Sequence, residues 1–399
     1  ALCGQCTVIC PNGFDMSQVC KSARENMVST DKMPLAPHEF ALMDMLFSNS
    51  EAFLSRPQPG YETCRYVFFP GCQAGAIAPD VVMQAYEDLS NRVAGGVALM
   101  LGCCGAISEW AGRYEMTEKV NEQLKQELAR LGDPIIIAGC PSCMKQLKES
   151  IGAHVIGIWE ILREIGLPQQ AKGLEIPVAI HDACGARGDA QTQDIIRELL
   201  SDMGCIVEDT EYSRDLSPCC GYGGLTAYAN KDMAAKMTEK CLERSDAPYI
   251  TYCMACRDRF VREGRESRHI LELLYGTNAV NMPDISEKRY NRLMLKEKLL
   301  KNIWNEELMM EKKDYTVAYT EDAISMMDER MILKSDVERV LSDYRENQEA
   351  IFDEETKELV TRSRLGNVTF WVRFVETEEG YLVRRAYSHR MNIMKRVGQ

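Results

Sequence analysis

Residues 218–224 read Pro-Cys-Cys-Gly-Tyr-Gly-Gly, and residues 102–105 read Gly-Cys-Cys-Gly. Each Cys-Cys-Gly tripeptide lies between one upstream cysteine and a downstream Cys-x-x-Cys pair, with spacing C-x30-CCG-x34-C-x2-C in the first copy and C-x34-CCG-x31-C-x2-C in the second. Because five cysteines recur in the same order, we interpret the pattern as an internal duplication. The first set comprises Cys72, Cys103, Cys104, Cys140 and Cys143, and the second comprises Cys184, Cys219, Cys220, Cys253 and Cys256.

The hydrophobic pattern predicts short buried strands near the cysteine motifs and helices between the strands. Such alternation is typical of parallel strands joined by crossover helices, and therefore of an α/β fold. Five of the six strands lead directly into a cysteine motif, whereas a loop follows the strand at 205–207. The cysteines should gather at the carboxyl ends of the strands, where open α/β sheets bind ligands. The predicted strands are 66–69, 97–101, 134–138, 177–180, 205–207 and 248–252, and the predicted helices include 80–89, 118–131, 192–203 and 230–245.

Each cysteine set fits a metal cluster better than a single ion. Thiolates are soft ligands that suit iron–sulfur clusters or zinc, but a closed zinc site takes four ligands and each set supplies five. We expect Gly105 and Gly221 to let the backbone approach the inorganic core, and helix N-termini to direct N–H groups toward it. The alternatives are buried core cysteines and a disulfide framework, which the long chain and the vicinal pairs disfavour.

The amino-terminal residues 1–11, ALCGQCTVICP, match the last part of the bacterial ferredoxin motif C-x2-C-x2-C-x3-C-P. On this interpretation Cys3 and Cys6 share one [4Fe-4S] cluster with residues outside this chain, and Cys10 ligates a second. We expect the natural chain to continue upstream with a companion cysteine motif. The alternative is a cysteine-rich loop that binds zinc.

These motifs resemble the cysteine-rich CCG-domain proteins. That group includes the B and D subunits of heterodisulfide reductase and the iron–sulfur subunits of glycolate oxidase and anaerobic glycerol-3-phosphate dehydrogenase. The resemblance covers roughly residues 1–275 and is carried by residues 181–184, His-Asp-Ala-Cys, and by residues 219–224. It implies two Rossmann-like lobes with one noncubane [4Fe-4S] cluster in each, held by the two cysteine sets. In heterodisulfide reductase such clusters cleave a disulfide.

The resemblance also suggests catalytic residues in the second set, namely Cys184, Cys219 and Cys220. His181 lies just before them and could protonate a departing thiolate, or it could orient the loop. Arg187 could offset the negative charge of a cluster, hold an anionic substrate or form an ordinary salt bridge. The four other cysteines, which we expect to be packing residues or leave unassigned, are Cys20, Cys64, Cys205 and Cys241.

Composition limits the partners and the location. The formal net charge of −13 disfavours nucleic acid, and no run of about 18 apolar residues predicts a transmembrane helix. Oxygen-sensitive clusters suit a reducing cytoplasm, with membrane attachment only through a partner. We expect a hetero-oligomer in which a flavoprotein or a hydrogenase-type subunit donates electrons and a small-molecule disulfide, or a similar acceptor, receives them. The alternatives are an electron-transfer subunit of a flavin-dependent 2-hydroxyacid or glycerol-3-phosphate dehydrogenase and a zinc scaffold.

The sequence suggests five segments. A small α+β domain is predicted at the carboxyl end because capping-box pairs precede helical patterns at Asp284 and Ser335, and alternating strands follow at 368–374 and 381–387. We expect this domain to dock a partner subunit. We expect His389 to lie on a solvated face rather than in an anion-binding site. The segments are a partial ferredoxin-like domain at 1–30, a linker at 31–63, CCG domains at 64–170 and 171–285, and the α+β domain at 286–399.

Overall fold

The computed structural model describes residues 1–33, 36–276, 282–307, 314–365 and 368–389. The fold is mixed α/β and divides into two compact units. The first unit comprises Ala1–Met282 and Arg289–Glu307, and the second comprises Pro283–Lys288 and the described residues from 314 onward. Within the described ranges, no helix has both the length and the hydrophobicity that crossing a membrane requires.

The first unit contains an amino-terminal helical segment and two lobes, each built on one sheet. The amino-terminal helices are α1 (Gln5–Ile9), α2 (Met16–Ser29) and α3 (Ala36–Ser48). The first lobe has strands β1 (Leu54–Arg56), β2 (Tyr66–Phe69), β3 (Val97–Leu101), β4 (Ile135–Ala138) and β5 (Val155–Gly157). Its helices are α4 (Cys72–Ile77), α5 (Pro79–Arg92), α6 (Ala106–Trp110), α7 (Tyr114–Arg130), α8 (Pro141–Ile151) and α9 (Ile158–Ile165).

The second lobe repeats this arrangement. Its strands are β6 (Pro177–His181), β7 (Ile206–Glu208), β8 (Tyr249–Thr251) and β9 (Ser267–His269). Its helices are α10 (Ala190–Asp202), α11 (Thr226–Ala229), α12 (Lys231–Leu242), α13 (Met254–Arg262) and α14 (Ile270–Leu274), with 3-10 turns at Cys184–Ala186, Arg214–Leu216 and Gly223–Leu225. Helix α15 (Ile285–Leu299) continues into a π-helical turn, Leu300–Trp304.

The two sheets confirm the duplication. The parallel strands follow the order β3-β2-β4-β5 in the first lobe and β7-β6-β8-β9 in the second. Strands β2, β3 and β8 are buried along their whole length, as expected for parallel strands with helices on their faces. The hydrophobic pattern missed β5 and β9, because runs of three residues are too short to show a period.

Two parts of the first unit differ from the segments predicted for them. The stretch 31–63 is more than a linker, since it contains α3 and the edge strand β1, which pairs antiparallel with β3. Residues 289–307 belong to the first unit and not to the carboxyl-terminal domain, because Arg289 and Arg292 form ion pairs with Asp44. Periodicity alone could not reveal these long-range ion pairs.

The second unit is a five-stranded sheet with two helices. Its strands are β10 (Thr316–Tyr319), β11 (Ile351–Asp353), β12 (Glu358–Leu365), β13 (Val368–Thr377) and β14 (Gly380–His389), and its helices are α16 (Glu321–Arg330) and α17 (Lys334–Asn347). The sheet order is β10-β14-β13-β12-β11, and all pairs except β10 with β14 are antiparallel. The capping box at Asp284 forms as predicted. Helix α17 begins at Lys334, so Ser335 lies within the helix, and the carboxylate of Asp336 accepts a hydrogen bond from the N–H of Leu333.

His269 makes the second lobe sensitive to acid. Its Nδ1 accepts a hydrogen bond from the N–H of Leu271 at the start of α14, and burial lowers its pKa from 6.5 to about 4. The unfolded chain binds a proton at this residue below about pH 6.5, but the folded chain does not until about pH 4. The contribution of neutral His269 to the free energy of unfolding is therefore fully present above pH 6.5. It is lost as the pH falls toward 4, by about 3 kcal/mol in total.

We expect the urea concentration at the midpoint of unfolding to be lower at pH 4.5 than at pH 6.5, with unfolding measured by far-ultraviolet circular dichroism. In His269→Asn, whose side chain can still cap α14 without titrating, the fall should be smaller. Equal falls in the two proteins would contradict this role of His269.

Candidate metal centre

The cysteine motifs lie at the carboxyl ends of the parallel strands, as predicted. Cys72 follows β2, Cys103 follows β3 and Cys140 follows β4. In the second lobe Cys184 and Cys253 follow β6 and β8, whereas the loop after β7 carries the remaining pair. A helix begins at or just after most motifs, so the local strand–turn–helix pattern brings each thiol to one edge of its sheet.

The five thiols of the first set form one continuous group, here called the first thiol group (Cys72, Cys103, Cys104, Cys140 and Cys143). Cys103 interacts with the thiols of Cys72 and Cys104, and Cys143 interacts with those of Cys104 and Cys140. Cys103, Cys104 and Cys143 are buried, and Cys72 and Cys140 are half-buried. The sequence prediction that these residues converge is therefore met by the geometry.

The second set converges in the same way into the second thiol group (Cys184, Cys219, Cys220, Cys253 and Cys256). The Sγ atoms of Cys220 and Cys256 lie 3.1 Å apart, and each of these thiols has one further partner, Cys219 and Cys253 respectively. Cys184 lies within electrostatic range of Cys219 and Cys220 and is half-buried. The geometry thus reproduces the repeat at the level of the sulfur atoms.

The two thiol groups meet. The thiol of Cys140 in the first lobe interacts with that of Cys253 in the second, so each Cys-x-x-Cys pair contributes one residue to the junction. A cavity of about 60 Å³ lies between the lobes and is lined by all of these thiols except Cys219. Its other walls are mostly apolar, with Ile107 and Trp110 on one side. Spacing within either repeat could not predict this junction.

Shared hydrogen bonds lower the pKa of some of these thiols and raise that of others. Cys103 and Cys143 donate to Cys104 and lower its pKa to about 6. Adjacent thiols also hold the pKa values of Cys140 and Cys220 well below the ordinary value, and backbone N–H groups at the following helix starts add to the effect. Most of the other thiols have raised pKa values because they donate these hydrogen bonds and are buried.

This electrostatic pattern fits a bound metal cluster. Crowded thiolates repel one another, so in the protein alone only some of them can ionise. A cationic metal core would allow all of them to do so, and iron–sulfur clusters are held by thiolates. The buried guanidinium of Arg292, which lies by Cys72, has an Nη2 atom without a hydrogen-bond partner among the described residues. An anionic group at this site would suit that unused donor.

The glycines of the two Cys-Cys-Gly tripeptides each pack against a helix of their own lobe. A Cβ at Gly221 would lie 2.5 Å from the carbonyl oxygen of Ala234 on α12, and one at Gly105 would lie 3.2 Å from Val120 on α7. Both glycines have positive φ, so they permit the turn and the close approach of a helix. Their N–H groups also interact with the thiols of Cys103 and Cys219, so the prediction that the backbone can approach a core at these positions stays a prediction. Gly71 and Gly223 face the sulfurs directly, since a Cβ would lie 3.3 Å from the Sγ of Cys143 at Gly71 and 3.9 Å from that of Cys184 at Gly223.

His181 lies beside the second thiol group and is held on two sides. Its Nδ1 is 3.4 Å from the Sγ of Cys241, and Phe260 packs edge-on against the ring with centroids 4.9 Å apart. A ring nitrogen also lies within 4.8 Å of the sulfurs of Cys220 and Cys256. Cys241, predicted to be a packing residue, is buried as expected but also contacts this imidazole.

Arg187 binds backbone carbonyls rather than a carboxylate. Its Nε donates to the carbonyl oxygen of Cys3 at 2.8 Å, and its Nη atoms donate to those of Asp215 and Ser217. The guanidinium therefore joins the amino-terminal segment to the loop that precedes Cys219. It also lies in electrostatic range of the Cys184 thiol, in agreement with a role in offsetting negative charge.

The three amino-terminal cysteines have different surroundings. The thiol of Cys3 interacts with that of Cys219, and Gly224 packs against the backbone of Leu2. Cys6 is exposed on α1, and N–H groups of residues 12–14 surround the Cys10 sulfur and lower its pKa. The described contacts thus bring one of the three predicted ferredoxin-type ligands to the second thiol group.

Sequence reasoning missed two residues that lie close to Cys72 of the first thiol group. Tyr222 lines the cavity, with its hydroxyl 3.5 Å from that of Tyr228, and burial raises the pKa of both. The second is Arg292, which α15 contributes from outside both repeats. The position of Tyr222 directly after the second Cys-Cys-Gly tripeptide was the available signal. Arg292 had none, because it lies in an ordinary charged helical pattern.

Comparison with known proteins supports the duplication. The family model described as a cysteine-rich CCG domain matches residues 66–148 and 178–260. An uncharacterized iron–sulfur protein of Methanococcus maripaludis is 24% identical over 64% of this chain and 54% of its own length. The D-type polypeptide of the dihydromethanophenazine:CoB–CoM heterodisulfide reductase of Methanosarcina acetivorans is 22% identical over 66% of this chain and 72% of its own length.

An uncharacterized iron–sulfur protein of Methanocaldococcus jannaschii is 26% identical over 43% of this chain and 35% of its own length. The chain thus spans about half or less of the length of the two uncharacterized relatives. No solved structure gives a significant match.

Proposed function

We propose that this chain, which contains two cysteine-rich CCG domains, is an iron–sulfur oxidoreductase subunit that transfers electrons to a disulfide or a similar two-electron acceptor. One observation carries the proposal: ten thiols from two repeated lobes form two groups that meet at Cys140 and Cys253 around one cavity. Similarity to one polypeptide of a heterodisulfide reductase supports the reaction class.

The two thiol groups would each hold one [4Fe-4S] cluster, noncubane by the resemblance, with the ten cysteines as ligands. Such clusters supply electrons one at a time. Reducing a disulfide breaks one S–S bond, consumes two electrons and two protons, and releases two thiols. The half-buried thiols of Cys72, Cys140 and Cys184 line the cavity, so the disulfide bond of an acceptor that reaches into the cavity would lie beside both groups. In this proposal Cys184, Cys219 and Cys220 remain the candidate catalytic cysteines.

The remaining candidate residues have supporting roles. His181 lies close enough to the second thiol group to move a proton, and its two packing contacts also orient it. Cys3, Cys6 and Cys10 would hold ferredoxin-type clusters together with residues outside this chain, and electrons from a flavoprotein or hydrogenase-type partner would pass through them. The second unit is the proposed docking domain for a partner subunit.

A relay without a substrate site is the second candidate function. It is favoured by the burial of Cys219 and Cys220, which are 5% and 3% exposed. In that case electrons would arrive from a flavin-dependent dehydrogenase and leave to another protein. The cavity that reaches Cys220 favours the reductase instead.

Anaerobic purification followed by iron, sulfide and zinc analysis tests the proposal. We expect iron and acid-labile sulfide, and an electron paramagnetic resonance signal that changes when thiols are added to the oxidised protein. A spectrum unaffected by small thiols would support the relay. Zinc without iron or sulfide would overturn both redox functions.

A further inference from the structure

Arg292 places a buried positive charge beside the first thiol group. The residue lies on α15 and is 4% exposed. Its Nε donates to the carbonyl oxygen of Cys72 at 3.0 Å, and its Nη1 donates to Asp44 at 2.8 Å. The Nη2 atom is buried and has no hydrogen-bond partner in the described part of the chain. One donor of this guanidinium is therefore available to an anion.

The ion pair with Asp44 does not cancel this charge. The same Asp44 oxygen also accepts a hydrogen bond from Arg289 at 3.2 Å, so two guanidinium groups share one carboxylate. Burial alone would raise the pKa of Asp44, but the two arginines hold it below its ordinary value, so the carboxylate is ionised at neutral pH. The three residues together carry a net charge of about +1.

Little side-chain volume separates the Arg292 guanidinium from the first thiol group. Arg292 and Cys72 line the same small cavity, whose other walls include Gly71, Gly75 and Gly102. A Cβ at Gly75 would lie 3.3 Å from Leu295 on α15, so the glycine lets this helix approach α4. Because the site is buried, solvent screens the charge only weakly.

We propose that Arg292 raises the reduction potential of the iron–sulfur site held by the first thiol group. This inference rests on the proposed function. Adding an electron makes a thiolate-bound cluster more negative, and a fixed positive charge nearby stabilises the more negative state. Arg292 is thus a positioning and charge-setting residue rather than a catalytic one. It lies outside both repeats, so no equivalent residue follows from the duplication.

The test compares Arg292→Gln with Lys296→Gln in the intact chain, by anaerobic potentiometric titration with electron paramagnetic resonance. Lys296 lies one turn further along α15, and its Nζ donates to the carbonyl oxygen of Glu51 near solvent. Lys296→Gln therefore also removes one positive charge, but at a position away from the thiols. For Arg292→Gln we expect reduction of one site to become at least tenfold less favourable, a shift of about −59 mV for a one-electron couple. Lys296→Gln should behave as the wild type.

Two further variants keep the inference testable if Arg292→Gln folds poorly. Arg292→Lys keeps the charge and should keep a potential close to that of the wild type. Asp44→Asn removes the neutralising carboxylate and should shift the same site to a more positive potential. Equal potentials in Arg292→Gln and Lys296→Gln, or no positive shift in Asp44→Asn, at unchanged iron content would overturn the inference. Absence of iron in the wild type would instead overturn the proposed function.

Discussion

Replacing Cys104 with serine is expected to remove the cluster of the first thiol group while the second group keeps its iron. Cys104 lies in the middle of its group, between Cys103 and Cys143, and it is among the thiols that most readily ionise. Serine keeps the volume but is a poor ligand for iron, since soft metal centres prefer thiolates. Roughly half of the iron held by the two groups should be lost. Disulfide reduction should fall at least a hundredfold if both groups act on one acceptor.

The mirror variant Cys220→Ser should affect the other half of the iron. Cys220 occupies the same position in the second repeat, between Cys219 and Cys256. Cys205→Ser is the control, because this buried thiol interacts with a backbone N–H at Leu174 and belongs to neither group. Iron and sulfide content per chain decides the outcome. If either variant loses all of the iron, the contact between Cys140 and Cys253 unites the groups into one site, and the interpretation as two clusters is wrong.

Gly221→Ala is expected to have the largest effect on stability. The residue has φ +89°, which is unfavourable for alanine, and the added Cβ would lie 2.5 Å from the carbonyl oxygen of Ala234. The strain of the left-handed backbone costs roughly 1–2 kcal/mol, and displacing α12 adds a packing cost of about 1–3 kcal/mol. We therefore expect the free energy of unfolding to fall by roughly 3 kcal/mol in all.

Gly188→Ala separates the two costs. This glycine has φ +81°, but a Cβ there would meet no atom within 4 Å. Only the backbone strain should remain, so the loss should be about 1–2 kcal/mol. Urea unfolding under anaerobic conditions, followed by far-ultraviolet circular dichroism, measures both variants. If Gly221→Ala and Gly188→Ala lose the same free energy of unfolding, displacing α12 costs nothing. The packing of α12 would then not be the reason for a glycine at position 221.

The repeat and its chemistry were accessible from sequence because they are local patterns. Apolar runs predicted the main strands, and cysteines that follow parallel strands must meet at one edge of a sheet. The predicted thiol sets accordingly lie together. The contact of Gly221 with α12 was not predicted, because sequence shows that a side chain is absent but not which neighbour would meet it. The linker at 31–63 was misjudged because α3 and β1 are stabilised by contacts with distant segments.

By itself, the sequence determined a duplicated α/β architecture and two quintets of thiols, since both follow from spacing and hydrophobic period. The tertiary structure alone decided that the quintets meet at Cys140 and Cys253, and that Arg292 lies buried beside Cys72. These contacts join residues more than a hundred positions apart. They depend on how lobes and helices pack, and packing depends on the shape and charge of whole surfaces, which no local pattern records.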